Sequence, residues 1–241
     1  MSLDPLTTAT SNVWEKHPNE LYRQDQSHYR GVGRWANDED WLNIGRSTLR
    51  KIQELWGFLG RPADGLKDQV ILEWGPGGGA NAYGLKDVSS LFFGIDISEK
   101  NLKEASRVLA AEKHVSYFQP ILLEGEPGTV IASVVPKVNL FFSTAVFQHF
   151  PSRDYGCSVL KALRGVCQDN AAGFIQIRFD NGREKYRGIS RIEDYEKRHI
   201  FANSYPIEEF WDHCLAAGFR PLYVNAIRSA NNYATFYLAA D

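Results

Sequence analysis

Short, nearly continuous apolar runs alternate with amphipathic segments along most of the chain. The runs QVILEW, LFFGID, VSYFQPI, VNLFFSTAVF and AAGFIQIRF predict five strands. Between the second and third runs, SEKNLKEASRVLAA places Leu102, Ala105 and Leu109 on one face, which predicts a helix with Ser98 as its N-cap. A further helix is predicted over 152–167. Apolar strands that alternate with helices indicate a parallel sheet covered on both faces.

The two ends of the chain depart from this alternation. Upstream, DEDWLNIGRSTLRKIQELWGFLG has helical spacing and ends at Gly60. Downstream, SYPIEEFWDHCLAAGF predicts a helix that Gly218 closes, and FRPLYVNAIRS and NYATFYLAA predict two strands separated by a few turn residues. So short a connection cannot form a parallel crossover, so we expect an antiparallel hairpin at one edge of the sheet. The predicted fold is α/β, a doubly wound seven-stranded sheet that is mostly parallel.

No internal repeat and no Pro- or Ser-rich linker divides the chain. We therefore predict a single domain over 1–241, with an N-terminal helical extension or lid at 1–62. A polar segment at 181–205, which lies between the fifth strand and the last helix, is predicted to be an inserted loop over the cleft.

Composition narrows the classes of function. With 27 Lys and Arg against 29 Asp and Glu, the net charge of −2 does not favour general binding to nucleic acid. No apolar run is long enough to span a bilayer, and MSLDPLTTATSN does not resemble a secretion signal, so we expect a cytoplasmic protein without membrane contact. The three cysteines are widely spaced, and we predict no metal site.

Candidate chemistry begins where the first two apolar runs end. The first run ends in Glu73 and continues into Trp74-Gly75-Pro76-Gly77-Gly78-Gly79, whose glycines allow a sharp turn and a close approach to a ligand. The second run ends in Asp96, where a carboxylate can accept hydrogen bonds from the vicinal hydroxyls of a ribose. Because the ligand crevice of such a sheet lies beyond the carboxyl ends of its strands, this pattern predicts a nucleoside cofactor.

Two nucleoside cofactors fit the glycine pattern, since Gly75-x-Gly77-x-x-Ala80 also satisfies the loose dinucleotide fingerprint. A carboxylate directly before the loop would repel a pyrophosphate, whereas the ammonium group of S-adenosylmethionine suits a nearby acid. Glu73 and the final hairpin therefore favour S-adenosylmethionine.

The segments LEWGPGGG, GIDIS, FFSTAVFQHFPS and AAGFRPLYV together resemble class I S-adenosylmethionine-dependent methyltransferases from Val70 to the C-terminus. The resemblance implies the strand order 3-2-1-4-5-7-6. It also implies that Glu73, Gly75, Gly77 and Gly79 surround the methionine part and that Asp96 binds the ribose. Ile121 stands where such enzymes often carry an acid for the adenine. The remaining candidates for cofactor binding are Trp74, Ile97, Gln119, Leu122, Ser143 and Thr144.

The resemblance places the end of the fourth strand beside the reacting methyl group. This segment lacks the NPPY or DPPY sequence of many amino-methylating DNA enzymes, so we expect an oxygen or nitrogen of a small molecule as acceptor. Methyl transfer is an in-line displacement that depends on positioning. His149 is the titratable ring in this segment and is the candidate general base, with a structural hydrogen-bonding role as the alternative.

Residues for the acceptor are sought in the extension, in the inserted loop and in the segment that follows the fourth strand. Aromatic rings attract cationic groups, and an arginine can hold a carboxylate. Packing of these rings onto the core is the alternative interpretation. The candidates are Tyr29, Arg34, Trp35, Phe147, Tyr186 and His199.

Two other functions remain open from the sequence. One is an NAD(P)-dependent oxidoreductase, against which Glu73 and the final hairpin count. The other is a protein that binds S-adenosylmethionine without turnover, because a fold does not fix a function.

Overall fold

Seven strands form one sheet in a computed structural model that describes residues 5–112, 116–228 and 230–240. The strand order is β3-β2-β1-β4-β5-β7-β6, as predicted. β1 pairs in parallel with β2, β2 with β3, and β4 with β5, whereas β7 is antiparallel to both β5 and β6. The strands are β1 (Val70–Trp74), β2 (Leu91–Asp96), β3 (Phe118–Leu122), β4 (Val138–Ser143), β5 (Cys167–Arg178), β6 (Phe219–Arg228) and β7 (Tyr233–Ala240).

α-Helices follow β1, β2, β4 and β5, as the apolar pattern predicts, whereas the 3-10 helix Pro127–Ser133 connects β3 to β4. The helices are α1 (Pro5–Trp14), α2 (Glu20–Gln26), α3 (Asp38–Phe58), α4 (Ala80–Leu85), α5 (Glu99–Ala110), α6 (Arg153–Val166), α7 (Tyr195–Arg198) and α8 (Ile207–Ala216). Polar side chains cap several of them: Asn37 accepts from the Glu39 amide at α3, Ser98 from the Asn101 amide at α5, and Ser152 from the Tyr155 amide at α6. No helix of the described residues is long and apolar enough to cross a membrane.

The chain contains two compact units, the described parts of 1–13 with 124–241, and 14–123. In the second of these, β1 and β2 are almost entirely buried, as expected for strands covered on both faces. The helices α3 and α4 approach closely at Gly45 and Gly84, where an added Cβ on either residue would lie within 2.7 Å of the other backbone. The single-domain organisation stays a prediction.

In the unit that contains β4 to β7, the core is rich in aromatic side chains. Phe142 stacks on Phe174, with ring centroids 5.3 Å apart, and Phe210 meets Phe236 edge to face at 4.8 Å. β5 begins at Cys167, four residues before the predicted run, because the exposed residues Gln168 to Asn170 continue the strand without an apolar signal. β3 begins at Phe118, later than the predicted VSYFQPI, whose Val115 lies outside the described residues.

Candidate functional site

Glu73 is the penultimate residue of β1, and its carboxyl group is almost completely buried, with 1% of the residue's surface exposed. Its Oε1 accepts a hydrogen bond of 2.6 Å from the Asn81 side-chain amide, and Oε2 has no partner among the described residues. Burial raises the pKa of Glu73 to about 8, and the charge of Asp96 also raises it. A cation that reached Oε2 would stabilise the ionised form of this carboxyl group.

Asp96 ends β2 and is also buried. Its Oδ1 accepts from the Ser98 amide at 2.9 Å, and its Oδ2 accepts from the Gly77 amide and the Asn101 side chain, each at 3.3 Å. Burial raises the pKa of Asp96 to about 6, although these donors oppose the effect. The two carboxyl groups predicted from the sequence therefore lie at the ends of adjacent parallel strands, on either side of the glycine loop in the chain.

The glycine loop between β1 and α4 needs glycine for its backbone conformation. Gly75, Gly77 and Gly79 have φ values of +80°, +53° and +85°, a region that side chains disfavour. An added Cβ on Gly77 would lie 2.5 Å from the carbonyl oxygen of Ser27, and the Gly78 amide donates to that oxygen at 2.7 Å. Part of the glycine pattern thus reflects contact with the chain's own residues after α2, a contact that the sequence did not predict.

The segment after α2 contains three of the predicted acceptor-binding residues. Tyr29 is buried, and its hydroxyl accepts from Arg23 at 3.1 Å. Arg34 forms an ion pair with Asp25 at 2.9 Å, and the Trp35 indole donates to the Asp25 carbonyl at 2.8 Å. These contacts hold the segment together, and binding of an acceptor by Tyr29, Arg34 or Trp35 stays a prediction.

The other predicted cofactor residues of this unit differ in exposure. Trp74 is buried and Ile97 is half-buried. On the outer strand β3, Gln119 and Leu122 are exposed, and the Gln119 amide donates to the Ser116 carbonyl at 3.2 Å. Gln119 and Leu122 are therefore accessible, and contact of these four residues with a cofactor stays a prediction.

At the end of β4, Ser143 is fully buried and Thr144 is half-buried. The next residue, Ala145, has a φ of +57°, an uncommon value for a residue with a side chain. Its amide donates to Oε1 of Gln176 on β5 at 3.1 Å. This bond holds the turn that follows Thr144, and a role of Ser143 and Thr144 in cofactor binding stays a prediction.

His149 is held from both sides of its ring in the turn after β4. Its Nδ1 lies 2.8 Å from the His199 carbonyl oxygen, so Nδ1 carries the proton and donates, and Nε2 is the acceptor nitrogen. The Gln148 amide nitrogen lies 3.2 Å from Nε2. The Tyr195 hydroxyl donates to the His149 carbonyl at 2.6 Å. The inserted segment 181–205 therefore fixes the orientation of the candidate base.

The remaining predicted acceptor-binding residues are buried. Phe147 is fully buried and meets Phe210 edge to face at 5.6 Å. Tyr186 packs on Phe201, with ring centroids 6.0 Å apart, and His199 Nδ1 lies 2.9 Å from the Glu196 carbonyl oxygen. These contacts support packing for Phe147 and Tyr186, and the acceptor-binding role of all three stays a prediction.

Four polar residues that support this arrangement were missed from the sequence: Arg23, Asn81, Asn101 and Gln176. Asn81 and Asn101 stand in the helices that directly follow β1 and β2, so their position after an acid-ending strand was the available signal. Gln176 lies between two apolar residues in β5. This alternation indicates only that its side chain and those of its neighbours point to opposite faces of the sheet. No group of three or more His, Cys, Asp or Glu side chains that could hold a metal ion is found in the described parts of the chain.

Comparison with known proteins rests on structure. No protein-family model matches the chain, and no curated protein sequence matches it. Among solved structures, this chain is similar to the magnesium protoporphyrin IX methyltransferase ChlM from Synechocystis PCC 6803, which has S-adenosylhomocysteine (SAH) bound. The TM-score is 0.64 at 13% identity, over 99% of this chain and 100% of ChlM.

Two further solved structures give the same result. An S-adenosylmethionine-dependent methyltransferase from Clostridium acetobutylicum matches with a TM-score of 0.59 at 11% identity, over 81% of this chain and 91% of the other. The CcbJ methyltransferase from Streptomyces caelestis matches with a TM-score of 0.56 at 14% identity, over 82% and 95%. Together with the strand order, these matches define the class I methyltransferase fold for this chain.

Proposed function

We propose that this protein is a methyltransferase that uses S-adenosylmethionine to methylate an oxygen or nitrogen of a small molecule. The observation that carries the proposal is the pair of buried carboxyl groups, Glu73 and Asp96, at the ends of β1 and β2 in a class I methyltransferase fold. The neighbour ChlM, which is named for magnesium protoporphyrin IX and has SAH bound, supports both the cofactor and an acceptor of small-molecule size.

The residues present fit this cofactor at both carboxyl groups. Glu73 Oε2 is buried without a partner among the described residues, and the ammonium group of the methionine part is the kind of cation that would complete it. Asp96 is held in place by amide donors, and a carboxylate can accept further hydrogen bonds from the hydroxyls of a ribose. When bound, S-adenosylmethionine supplies a methyl group on a sulfonium centre. A dinucleotide would bring its pyrophosphate towards Glu73 and would supply no ammonium group for the buried Oε2, which disfavours the oxidoreductase alternative.

On the acceptor side, the protein's task is to orient the acceptor and to exclude water. We assign this task to the turn after β4, with Ser143, Thr144 and His149, and to the two segments 1–62 and 181–205 as covers. For an oxygen acceptor, His149 Nε2 is the acceptor nitrogen of a fixed ring, and it receives the proton when the acceptor replaces the Gln148 amide as its partner.

Binding and turnover test the proposal directly. Isothermal titration with S-adenosylhomocysteine (SAH) is expected to show binding by the wild type, a loss of at least about tenfold in affinity for Glu73→Gln and Asp96→Asn, and no change for Asp87→Asn, whose carboxyl group is exposed. A tritiated-methyl transfer screen against a metabolite extract then identifies the class of acceptor. Tighter binding of NADH than of SAH by the wild type would reverse the assignment.

The role of His149 has a separate test. His149→Ala is expected to lower turnover at least about tenfold and to leave SAH affinity within about twofold, because the ring acts on the acceptor and not on the cofactor. His213→Ala serves as the control, since His213 lies on α8 and pairs with Glu209. Wild-type turnover in His149→Ala would leave His149 with a structural role only.

A further inference from the structure

Arg23 on α2 is an arginine that the fold buries almost completely, with 1% of its surface exposed. Its Nη2 donates to Glu20 Oε1 at 2.6 Å and to the Tyr29 hydroxyl at 3.1 Å. Its Nη1 donates to Asn101 Oδ1 on α5 at 2.9 Å. Burial of a charged guanidinium group costs free energy unless its N–H groups are hydrogen-bonded. The hydrogen bond to Asn101 is therefore part of a buried network and is not a surface contact.

Asn101 connects Arg23 to the acid at the end of β2. Its side-chain Oδ1 accepts from Arg23, and its Nδ2 donates to Asp96 Oδ2 at 3.3 Å. Because a guanidinium only donates, Arg23 permits one orientation of this amide. In the reversed orientation the amide nitrogen would face the guanidinium and the amide oxygen would face the Asp96 carboxylate, with repulsion at both ends.

A second set of contacts joins Glu15 and Glu20 to the start of α5. Glu15 Oε2 accepts from the Ser98 hydroxyl at 2.6 Å and from the Lys100 amide at 3.2 Å. The Lys100 ammonium also lies 3.3 Å from Glu20 Oε2. Residues 15–23 therefore attach at two places to the turn that carries Asp96, and the Arg23 contact is the one that reaches its carboxyl group through Asn101.

We propose that Arg23 is a positioning residue that fixes the Asn101 amide and, through it, the carboxylate of Asp96 for the cofactor's ribose. The inference rests on the proposed function for the identity of the ligand. The groups that face Asp96 are the amides of Gly77, Ile97 and Ser98 and the side chain of Asn101, while the Glu73 carboxyl group is electrostatically coupled to it. Of these, Asn101 is the donor whose direction Arg23 sets.

The consequence is a change in the ionisation of Asp96. In the wild type its pKa is about 6, and loss of a correctly directed donor removes a stabilising interaction of the charged form. In Arg23→Met the pKa of Asp96 is expected to rise, so that at pH 7 a larger fraction is protonated and cannot accept from both ribose hydroxyls. The defect is expected to shrink at higher pH, where Asp96 is ionised in both proteins.

The experiment measures Asp96 itself as well as ligand binding. Carbon-13 NMR of labelled aspartate carboxyl groups, with the Asp96 signal assigned from Asp96→Asn, gives its titration midpoint in the ligand-free protein. SAH affinity is measured from pH 6 to pH 8.5 in the same variants. The matched control is Arg107→Met, which removes another arginine in an i,i+3 pair with a glutamate, but an exposed one on α5.

Arg23→Met is expected to raise the Asp96 midpoint by about half a pH unit to one unit. SAH binding is then expected to weaken about two- to fivefold at pH 6, less than about twofold at pH 7 and not measurably at pH 8.5. Arg107→Met is expected to match the wild type. Asn101→Leu is expected to reproduce the effect, and the double variant is expected to be no worse than Asn101→Leu alone, because both changes interrupt one path. Arg23→Lys, which retains a donor for Asn101 Oδ1, is expected to restore a midpoint close to that of the wild type.

An unchanged Asp96 midpoint in folded Arg23→Met, or fully additive effects with Asn101→Leu, would overturn the inference. If Arg23→Met does not fold, Arg23→Lys and Asn101→Leu carry the test. In that case the inference requires a raised midpoint in Asn101→Leu and one near that of the wild type in Arg23→Lys. Failure of the wild type to bind SAH would refute the proposed function instead, and the NMR midpoints would still decide whether Arg23 positions Asp96.

Discussion

Glu73 shows how a single buried residue links protonation to ligand binding. It lies next to the end of a strand whose other residues are apolar, and burial raises the pKa of its carboxyl group to about 8 in the ligand-free protein. Near neutral pH the group is therefore mostly protonated until a cation arrives. Binding of an ammonium group at Oε2 then requires release of this proton, so cofactor affinity is expected to increase as the pH rises from 6 to 8.

Stability of the ligand-free protein is expected to change in the opposite direction. A carboxyl group whose pKa is higher in the folded than in the unfolded state stabilises the fold at low pH, and this contribution is lost as the pH rises through the folded-state value. For Glu73 the window runs from 4.5, the ordinary pKa, to about 8. Glu73→Gln, which cannot ionise, is thus expected to have a higher Tm than the wild type at pH 9 and a similar one near pH 5.

Thermal denaturation of both proteins between pH 5 and pH 9 provides the measurement. Glu99→Gln, at an exposed glutamate in the first turn of α5, is the control and is expected to show no such divergence from the wild type. Parallel Tm curves for Glu73→Gln and the wild type would show that Glu73 does not carry this raised pKa.

Among the larger elements, the inserted segment 181–205 has several attachments, and Arg178 provides one between this segment and the sheet. Arg178, the last residue of β5, is buried and donates to the Ile200 carbonyl at 2.8 Å and to the Tyr233 hydroxyl at 3.0 Å. Its guanidinium also lies 4.3 Å from the ring centroid of Phe201 and 5.7 Å from that of Tyr186. Two strands and the insert therefore share one buried cation.

Replacement of this cation is expected to loosen the insert while the sheet stays folded. In Arg178→Met, subtilisin cleavage within 181–205 is expected to be at least about fivefold faster, because local opening no longer breaks the hydrogen bond to Ile200 and the contacts with the rings of Phe201 and Tyr186. Arg187→Met, at an exposed arginine of the same segment, is the control. Equal cleavage rates in Arg178→Met and the wild type would mean that other contacts hold the segment.

The elements and the site differ in how far the sequence predicted them. Apolar runs were sufficient to predict the seven strands, and helical periodicity was sufficient to predict α3, α5, α6 and α8, because each of these helices buries an apolar face. Apolar periodicity does not predict α2, because the residue that this helix buries is the charged Arg23. The acids Glu73 and Asp96 were predicted because they end apolar runs. Their partners Asn81 and Asn101 were not, because a buried polar contact between elements depends on their packing.

At the scale of the whole molecule, the balanced charge of −2 offers little attraction for a polyanion. Exclusion of nucleic acid stays a prediction. It is tested by fluorescence anisotropy with a labelled 20-base DNA at about 150 mM salt, where we expect no binding at micromolar protein. Binding that weakens steeply with added salt would contradict the small-molecule acceptor proposed above.

Ligand-dependent stability distinguishes the candidate functions for the intact chain. A ligand that binds only the folded state at 100 times its Kd stabilises it by about 2.7 kcal/mol, which for a chain of this length raises the Tm by roughly 5 to 10 °C. SAH is expected to produce this shift at pH 8, and a smaller one at pH 6 because Glu73 must lose its proton first. NADH at the same concentration is expected to produce none, because it carries no cation for the buried Oε2 of Glu73. A shift with NADH and none with SAH would favour the oxidoreductase.

The pH dependence of the SAH-induced Tm shift tests Glu73 separately. A larger shift at pH 6 than at pH 8 would show that Glu73 does not bind the ammonium group. The assignment of S-adenosylmethionine as the cofactor would not be affected.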